Sequence, residues 1–239
     1  MPIWKKKKDS VVARFFHRPI SFYFSSFFCR LGLTSNQVSF VSLIIAFLSC
    51  VFFLISGEFF YIVGGVLMNL WSIIDSADGN MARLIGGKPY GSFIDATSSY
   101  VLVGFGITCI GFSVFRTGGV IVHSGNVYIL LLAAFASGFD TMTRLFFQKM
   151  KNDSLNLKLN GKEGMNVSNN DGEAASKLDL IQSKIQSEFG LGGWNMIFIF
   201  VCILTHSLDL YVLFYFFYYG AFFVLATYYL IIKTKCLKK

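Results

Sequence analysis

Apolar positions along this chain come in long blocks, not in a strict two-residue alternation. A helix crossing a bilayer needs about 20 mostly apolar residues. Six blocks approach that length: 37–56, 59 to about 84, 92–115, 127 to about 148, 191–207 and 210–233. The last third of the second block turns polar. Short polar breaks at Gly57-Glu58 and around Ser207–Asp209 leave room only for antiparallel neighbours. Ahead of the first block, Phe24, Phe27, Phe28 and Leu31 recur at helical spacing, with Ser21, Ser25 and Arg30 largely off that stripe. Lys5–Lys8, Arg14 and Arg18 precede it, as in a helix lying at a lipid headgroup surface. The pattern predicts an all-α polytopic membrane protein with six transmembrane helices preceded by an interfacial amphipathic helix. Residues 1–36 form the basic segment and interfacial helix; residues 37–239 form the transmembrane domain. A polar connection at about 149–190 interrupts that domain, and Leu178, Ile181, Ile185 and Phe189 predict a short amphipathic helix at its end.

Composition sharpens the picture. Of the 239 residues, 54% are hydrophobic and 14% charged, against about 25% charged in a soluble domain. The formal charge of +8 points to membrane sidedness and not to nucleic acid. On a six-span plan, 20 of the 21 Lys and Arg residues fall on one side of the bilayer, and Arg116 alone falls on the other. Positive residues stay cytoplasmic, so both termini and the 149–190 connection are expected there. The five cysteines are scattered, without a CxxC pair, and read as buried or lipid-facing thiols.

Three carboxylates stand out against this background. Asp75 and Asp78 lie near the end of the second block, three residues apart and so on one helix face. Asp95 lies near the start of the third, at a similar depth. Snorkelling to water explains a lone aspartate of this kind. Three at one depth repel unless a cation sits among them, and hard oxygen donors favour Mg²⁺, Mn²⁺ or Ca²⁺ over zinc.

The stretch Asp75-Ser-Ala-Asp78-Gly79-Asn-Met-Ala82-Arg83, seven residues, then Gly91-Ser-Phe-Ile-Asp95 resembles the signature of the CDP-alcohol phosphotransferase family, DxxDGxxAR followed by GxxxDxxxD. Leu33-Thr34-Ser35-Asn36-Gln37-Val38-Ser39 is similar to the segment that opens the first span in that family, usually with Pro at the place of Ser35. The resemblance covers about residues 30–100. It implies transfer of a phospho-alcohol or phosphatidyl group from a CDP-alcohol donor to an alcohol or lipid acceptor, with release of CMP. It implies Mg²⁺ or Mn²⁺ held by Asp75, Asp78 and Asp95, nucleotide contacts from Asn36, Gly79, Ala82, Arg83 and Gly91, a cytoplasmic active site among membrane lipids, and a homodimer. Small residues at 79, 82 and 91 also serve helix packing.

One position departs from the pattern. The fourth family aspartate, linked to the metal site and proposed as general base, is Ser99 here. A serine hydroxyl takes up no proton near neutrality. Four outcomes follow: a second metal is weakened or lost, another carboxylate such as Asp140 replaces it, the acceptor arrives already ionised, or the protein binds a CDP-alcohol without turning it over. Asp140 also has a plainer role as partner of Arg144 one helical turn on, and Arg144 is a candidate for holding an acidic acceptor. Intramembrane prenyltransferases also use Asp-rich metal sites, but in two separate halves of a bundle, whereas here the acids share one half. No paired broken helices point to a transporter.

Overall fold

The computed structural model describes residues 10–86, 90–159, 188–190 and 193–236. All regular structure among them is helical: α1 (Arg18–Arg30), α2 (Ser35–Leu54), α3 (Glu58–Ile85), α4 (Gly91–Val101), α5 (Ile107–Thr117), α6 (Val127–Leu159), α7 (Asn195–Leu204) and α8 (Leu208–Cys236). A π-helical turn, Ala13–His17, leads directly into α1, and a second, Leu102–Gly106, joins α4 to α5 without a break. Five segments among the described residues are long and apolar enough to cross a membrane: α2, α3, the continuous α4–α5, the first 24 residues of α6, and most of α8. Their outward faces carry Phe40, Phe47, Leu131, Phe135, Phe217 and Val224 in the open. Exposed apolar surface on this scale belongs against lipid.

Local chemistry sets the helix ends. Thr34 and Gln37 form a capping box, with the Thr34 amide donating to Gln37 Oε1 at 2.9 Å. It starts α2 two residues before the apolar block does. Polar residues with no Gly or Pro among them carry α6 on to Leu159, past the end expected near residue 148. The Lys149–Asp153 pair, 3.0 Å apart, lies on this extension. The amphipathic helix expected at 178–189 falls almost entirely outside the described residues.

Within the fifth expected span, 191–207, the structure describes the ten-residue α7, about 15 Å long. It follows the Gly193-Trp194 turn and ends in a Schellman motif. Ser207 N donates to the Cys202 carbonyl at 2.8 Å and His206 N to that of Ile203 at 3.2 Å. His206 takes the left-handed conformation (φ 52°) that glycine usually supplies there.

The main core runs between α2, α3, α5, α6, α7 and α8. Its α8 side is the inner row Tyr211, Tyr215 and Tyr219, spaced four apart and buried, while Phe217 on the same helix faces outward. Gly64 and Gly65 let α3 approach Phe53 on α2 and Phe200 and Ile203 on α7. A second small cluster, Phe28, Val38, Ile74 and Met81, sits beneath α1.

α1 divides its apolar stripe: Phe28 is buried and Phe24 half-buried, while Phe27 and Leu31 are exposed. Ser21 and Ser25 are buried against α3, while Phe22 and Tyr23 are exposed. Beside the apolar cluster of Phe28 with Ile74 and Met81, its contacts with α3 include hydrogen bonds. Asn80 Nδ2 donates to Ser21 Oγ (3.0 Å), Ser25 Oγ lies 3.1 Å from the Ala77 carbonyl, and His17 Nδ1 lies 3.3 Å from Ser72 Oγ.

Asp209 does more than close the turn between α7 and α8. Its carboxylate, fully buried in the first turn of α8, accepts the Ile121 and Val122 amides at 2.6 and 3.0 Å. It ties the α5–α6 loop to α8. Replacing Asp209 by Ala strands these donors and is expected to cost about 2 kcal/mol of stability. Asp209→Asn, which keeps one acceptor oxygen, should lose less. Thermal unfolding of the purified variants in detergent checks the order.

Candidate functional site

α3 and the start of α4 build the site. Asp75 and Asp78 project from one face of α3, and Asp95 stands one turn into α4 after the left-handed Tyr90. One carboxylate oxygen from each of the three lies within 4.8 Å of the other two. Asp78 is buried, Asp75 half-buried and Asp95 exposed, so the cluster is graded from the helix interface outward. At this spacing, with an effective dielectric near 20, each ionised pair repels by roughly 3–4 kcal/mol. Two oxygens on one Mg²⁺-sized ion lie about 3 Å apart when adjacent and about 4 Å when opposite. A separation of up to 4.8 Å can therefore take such an ion once side-chain rotation closes the gap. The all-oxygen donor set fits Mg²⁺ or Mn²⁺.

Hydroxyls support the carboxylates from behind. Ser39 Oγ on α2 is 2.5 Å from Asp78 Oδ2. Ser98 Oγ, fully buried on α4, donates to the Asp95 carbonyl (2.9 Å) and lies 3.5 Å from Asp75 Oδ1. Trp71 Nε1 in turn donates to Ser98 Oγ at 3.4 Å. Neither serine belongs to the acid-bearing motif, and Ser39 enters only as the last residue of the Leu33–Ser39 segment. The signal available for Ser39 is the Ser35, Ser39, Ser42, Ser49 stripe at helical spacing in an otherwise apolar span.

The other expected residues fall into three places. Asn36 and Gly91 meet, since a Cβ on Gly91 would come within 3.0 Å of Asn36 Oδ1. The starts of α2 and α4 therefore touch at a point where only glycine fits easily. A Cβ on Gly79 would meet only the Arg83 guanidinium, at 3.5 Å, so no neighbouring helix among the described residues packs there. Exposed Arg83 donates to Asn80 Oδ1 at 2.8 Å. Asn80 is buried and bonded to Ser21 of α1, so Arg83 is steadied through two helices. Ala82, partly exposed, sits beside it.

Ser99 is not part of the carboxylate cluster. Its hydroxyl donates back along α4 to the Ala96 carbonyl at 2.9 Å. Asp140 is buried in α6 and held by Arg144, with Nε–Oδ1 at 2.9 Å and Nη2–Oδ2 at 3.4 Å. Both its oxygens are engaged by that guanidinium. Nearby, Tyr100 on α4 donates to Gln148 of α6 at 2.7 Å. A separate cavity of about 420 Å³, lined by Glu58, Tyr61, Thr117, Gly118, Gly119, Ile203, His206 and Leu208, lies at the opposite end of α3. Tyr61 is about 20 Å along the helix from Asp75, so this cavity has no part in the carboxylate site.

No family model matches the chain, and no curated protein matches it.

The Asp140–Arg144 geometry makes a prediction. Asp140→Ala leaves a half-buried guanidinium without its counter-charge and is expected to destabilise the protein by about 1–2 kcal/mol. The double variant Asp140→Ala/Arg144→Leu should recover much of that loss. Thermal unfolding of the two singles and the double checks the coupling.

Proposed function

We propose that the protein is a metal-dependent membrane transferase that moves a phospho-alcohol or phosphatidyl group from a CDP-alcohol to an acceptor hydroxyl and releases CMP. The observation that carries this reading is the approach of Asp75, Asp78 and Asp95 to within 4.8 Å at the junction of two helices. The DxxDGxxAR spacing and the nearby Arg83 and Asn36–Gly91 contacts support it.

In this reading Asp75, Asp78 and Asp95 would hold Mg²⁺ or Mn²⁺. The ion supplies positive charge to the donor diphosphate and to the CMP leaving group. Arg83 adds a permanent positive charge for phosphate, fixed in direction by Asn80. The open flank of Gly79, together with Ala82, lets a nucleotide lie close to α3. Asn36 and Gly91 border its approach. The acceptor oxygen attacks the phosphorus nearest the alcohol, the bond from that phosphorus to the bridging oxygen breaks, and the electron pair leaves with CMP. Arg144 offers a cation to an acidic acceptor, and Asp140 is assigned to holding Arg144. Neither Ser99 nor Asp140 supplies a base, which favours an acceptor that is already ionised or that loses its proton to solvent. The product belongs to phospholipid or lipid-linked glycan synthesis.

The architecture we propose has six crossings, with α7 as a short fifth and α1 at the headgroup surface. The one-sided distribution of Lys and Arg supports cytoplasmic termini and a cytoplasmic site. Two copies of the chain would pair, as the family resemblance implies.

A second reading is favoured by one specific observation. With the Ser99 hydroxyl turned back to Ala96, no fourth carboxylate joins the cluster among the described residues. That suits a protein that binds a CDP-alcohol without consuming it. Purified protein with Mn²⁺ and a panel of CDP-alcohols separates the two. Transfer predicts CMP release that falls by at least about 100-fold in Asp78→Asn. Binding without release from any donor, converted to release by Ser99→Asp, establishes the second reading instead.

A further inference from the structure

The geometry points to Ser39 as a positioning residue for the carboxylate site: its hydroxyl holds one oxygen of Asp78 and thereby fixes which oxygen Asp78 presents to Asp75 and Asp95. This role rests on the metal-site reading above and falls to a residue outside the DxxDGxxAR segment.

A serine hydroxyl has one proton to donate. Ser39 Oγ has two acceptors in reach, the Ser35 carbonyl at 3.1 Å and Asp78 Oδ2 at 2.5 Å. The short contact to a charged acceptor takes the proton, because charge-assisted O–H···O⁻ bonds are both shorter and stronger. The Ser35 carbonyl remains as a weak second contact. Ser39 and Asp78 are both buried, on different helices and 39 residues apart in sequence. The bond therefore ties α2 to the acid-bearing turn of α3.

The pairing has a direct consequence for the carboxylate. An Asp side chain can turn about its last bond and exchange its two oxygens. With Oδ2 bonded to Ser39, that rotation is opposed and Oδ1 is left for the cluster. Asp75 and Asp95 have no equally short hydroxyl contact among the described residues: the Ser98–Asp75 distance is 3.5 Å, and Ser98 donates to the Asp95 main chain instead. Asp78 is thus the member of the three held by a hydroxyl of a neighbouring helix. The capping box at Thr34–Gln37 fixes the start of α2, and Ser39 lies just over one turn beyond it. In this way the opening of the first span sets the aim of an aspartate in the second.

The test is Mn²⁺ binding to full-length protein in detergent, read from the loss of the free-ion paramagnetic resonance signal. Removing an outer partner of a metal ligand typically costs 10–100-fold in affinity. Ser39→Ala is expected to weaken Mn²⁺ binding by about 10-fold, and Ser39→Thr to restore it. In CMP release, the Mn²⁺ concentration for half-maximal rate should rise in step, with a smaller change in the rate at saturating Mn²⁺. Should Ser39→Ala fail to fold, Ser39→Cys, close in volume and a weak donor, carries the same comparison. Wild-type Mn²⁺ affinity in a folded Ser39→Ala or Ser39→Cys overturns the role of Ser39 and leaves the metal reading standing. Absence of Mn²⁺ binding by the wild-type protein overturns both.

Discussion

Mutual repulsion among Asp75, Asp78 and Asp95 is the constraint around which this molecule is arranged. Charged groups near the apolar part of a helix bundle are costly, and three of one sign at one point are costlier still. The surrounding structure accepts this cost and organises itself to hold the groups in place. α2 supplies a hydroxyl to Asp78, the first turn of α4 brings in Asp95, and Ser98 with Trp71 fills the space behind. Such an arrangement makes sense when positive charge arrives from outside the chain.

The helices around the site divide the labour. α3 carries the acids on one side and on another meets the polar residues of α1. Those contacts reach Asn80 and, through it, Arg83. At the far end, Gly64 and Gly65 bring α3 close to α2 and α7. The site thus rests on a helix fixed at both ends by different means, hydrogen bonds at one and close apolar packing at the other. The Asp140–Arg144 pair forms a second polar centre, on α6. Both oxygens of Asp140 are committed to Arg144, which sets this pair apart from the open carboxylate cluster.

Much of this is legible in the amino-acid sequence. Block length finds the long helices because an apolar run of that size has no better environment than lipid. The three acids are legible as neighbours because an interval of three residues shares a face and because two antiparallel spans place their adjoining ends at one depth. What escapes has specific causes. Thr34 and Gln37 spell a helix start, but hydropathy is blind to caps and so places the start late. α6 outruns its apolar block because nothing in 149–159 breaks a helix, and polarity alone is not a stop signal. α7 is shorter than its apolar block because its boundaries depend on the turn at Gly193-Trp194 and on His206 adopting a conformation that histidine rarely signals. Ser98 and Ser99 are adjacent in sequence but about 100° apart around the helix. The motif position draws the eye to Ser99, whose hydroxyl, among the described residues, bonds only the Ala96 carbonyl. For α1, periodicity marks an apolar stripe but cannot say which of its residues meet protein when the alternative solvent is lipid: Phe28 is buried and Phe27 exposed.

The hydrogen bonds between α1 and α3 change how the helix is attached. An ordinary amphipathic helix is held to its domain by apolar contact, so a detergent that solvates hydrocarbon competes for the same surface. α1 and the turn before it hold α3 through Ser21, Ser25 and His17 as well as Phe28, and turn Phe22, Tyr23 and Phe27 outward. A mild detergent simply replaces the lipid around those rings and leaves the grip alone. Chaotropes such as urea, which solvate peptide and polar groups, attack the attachment itself and would release this helix before the apolar bundle opens.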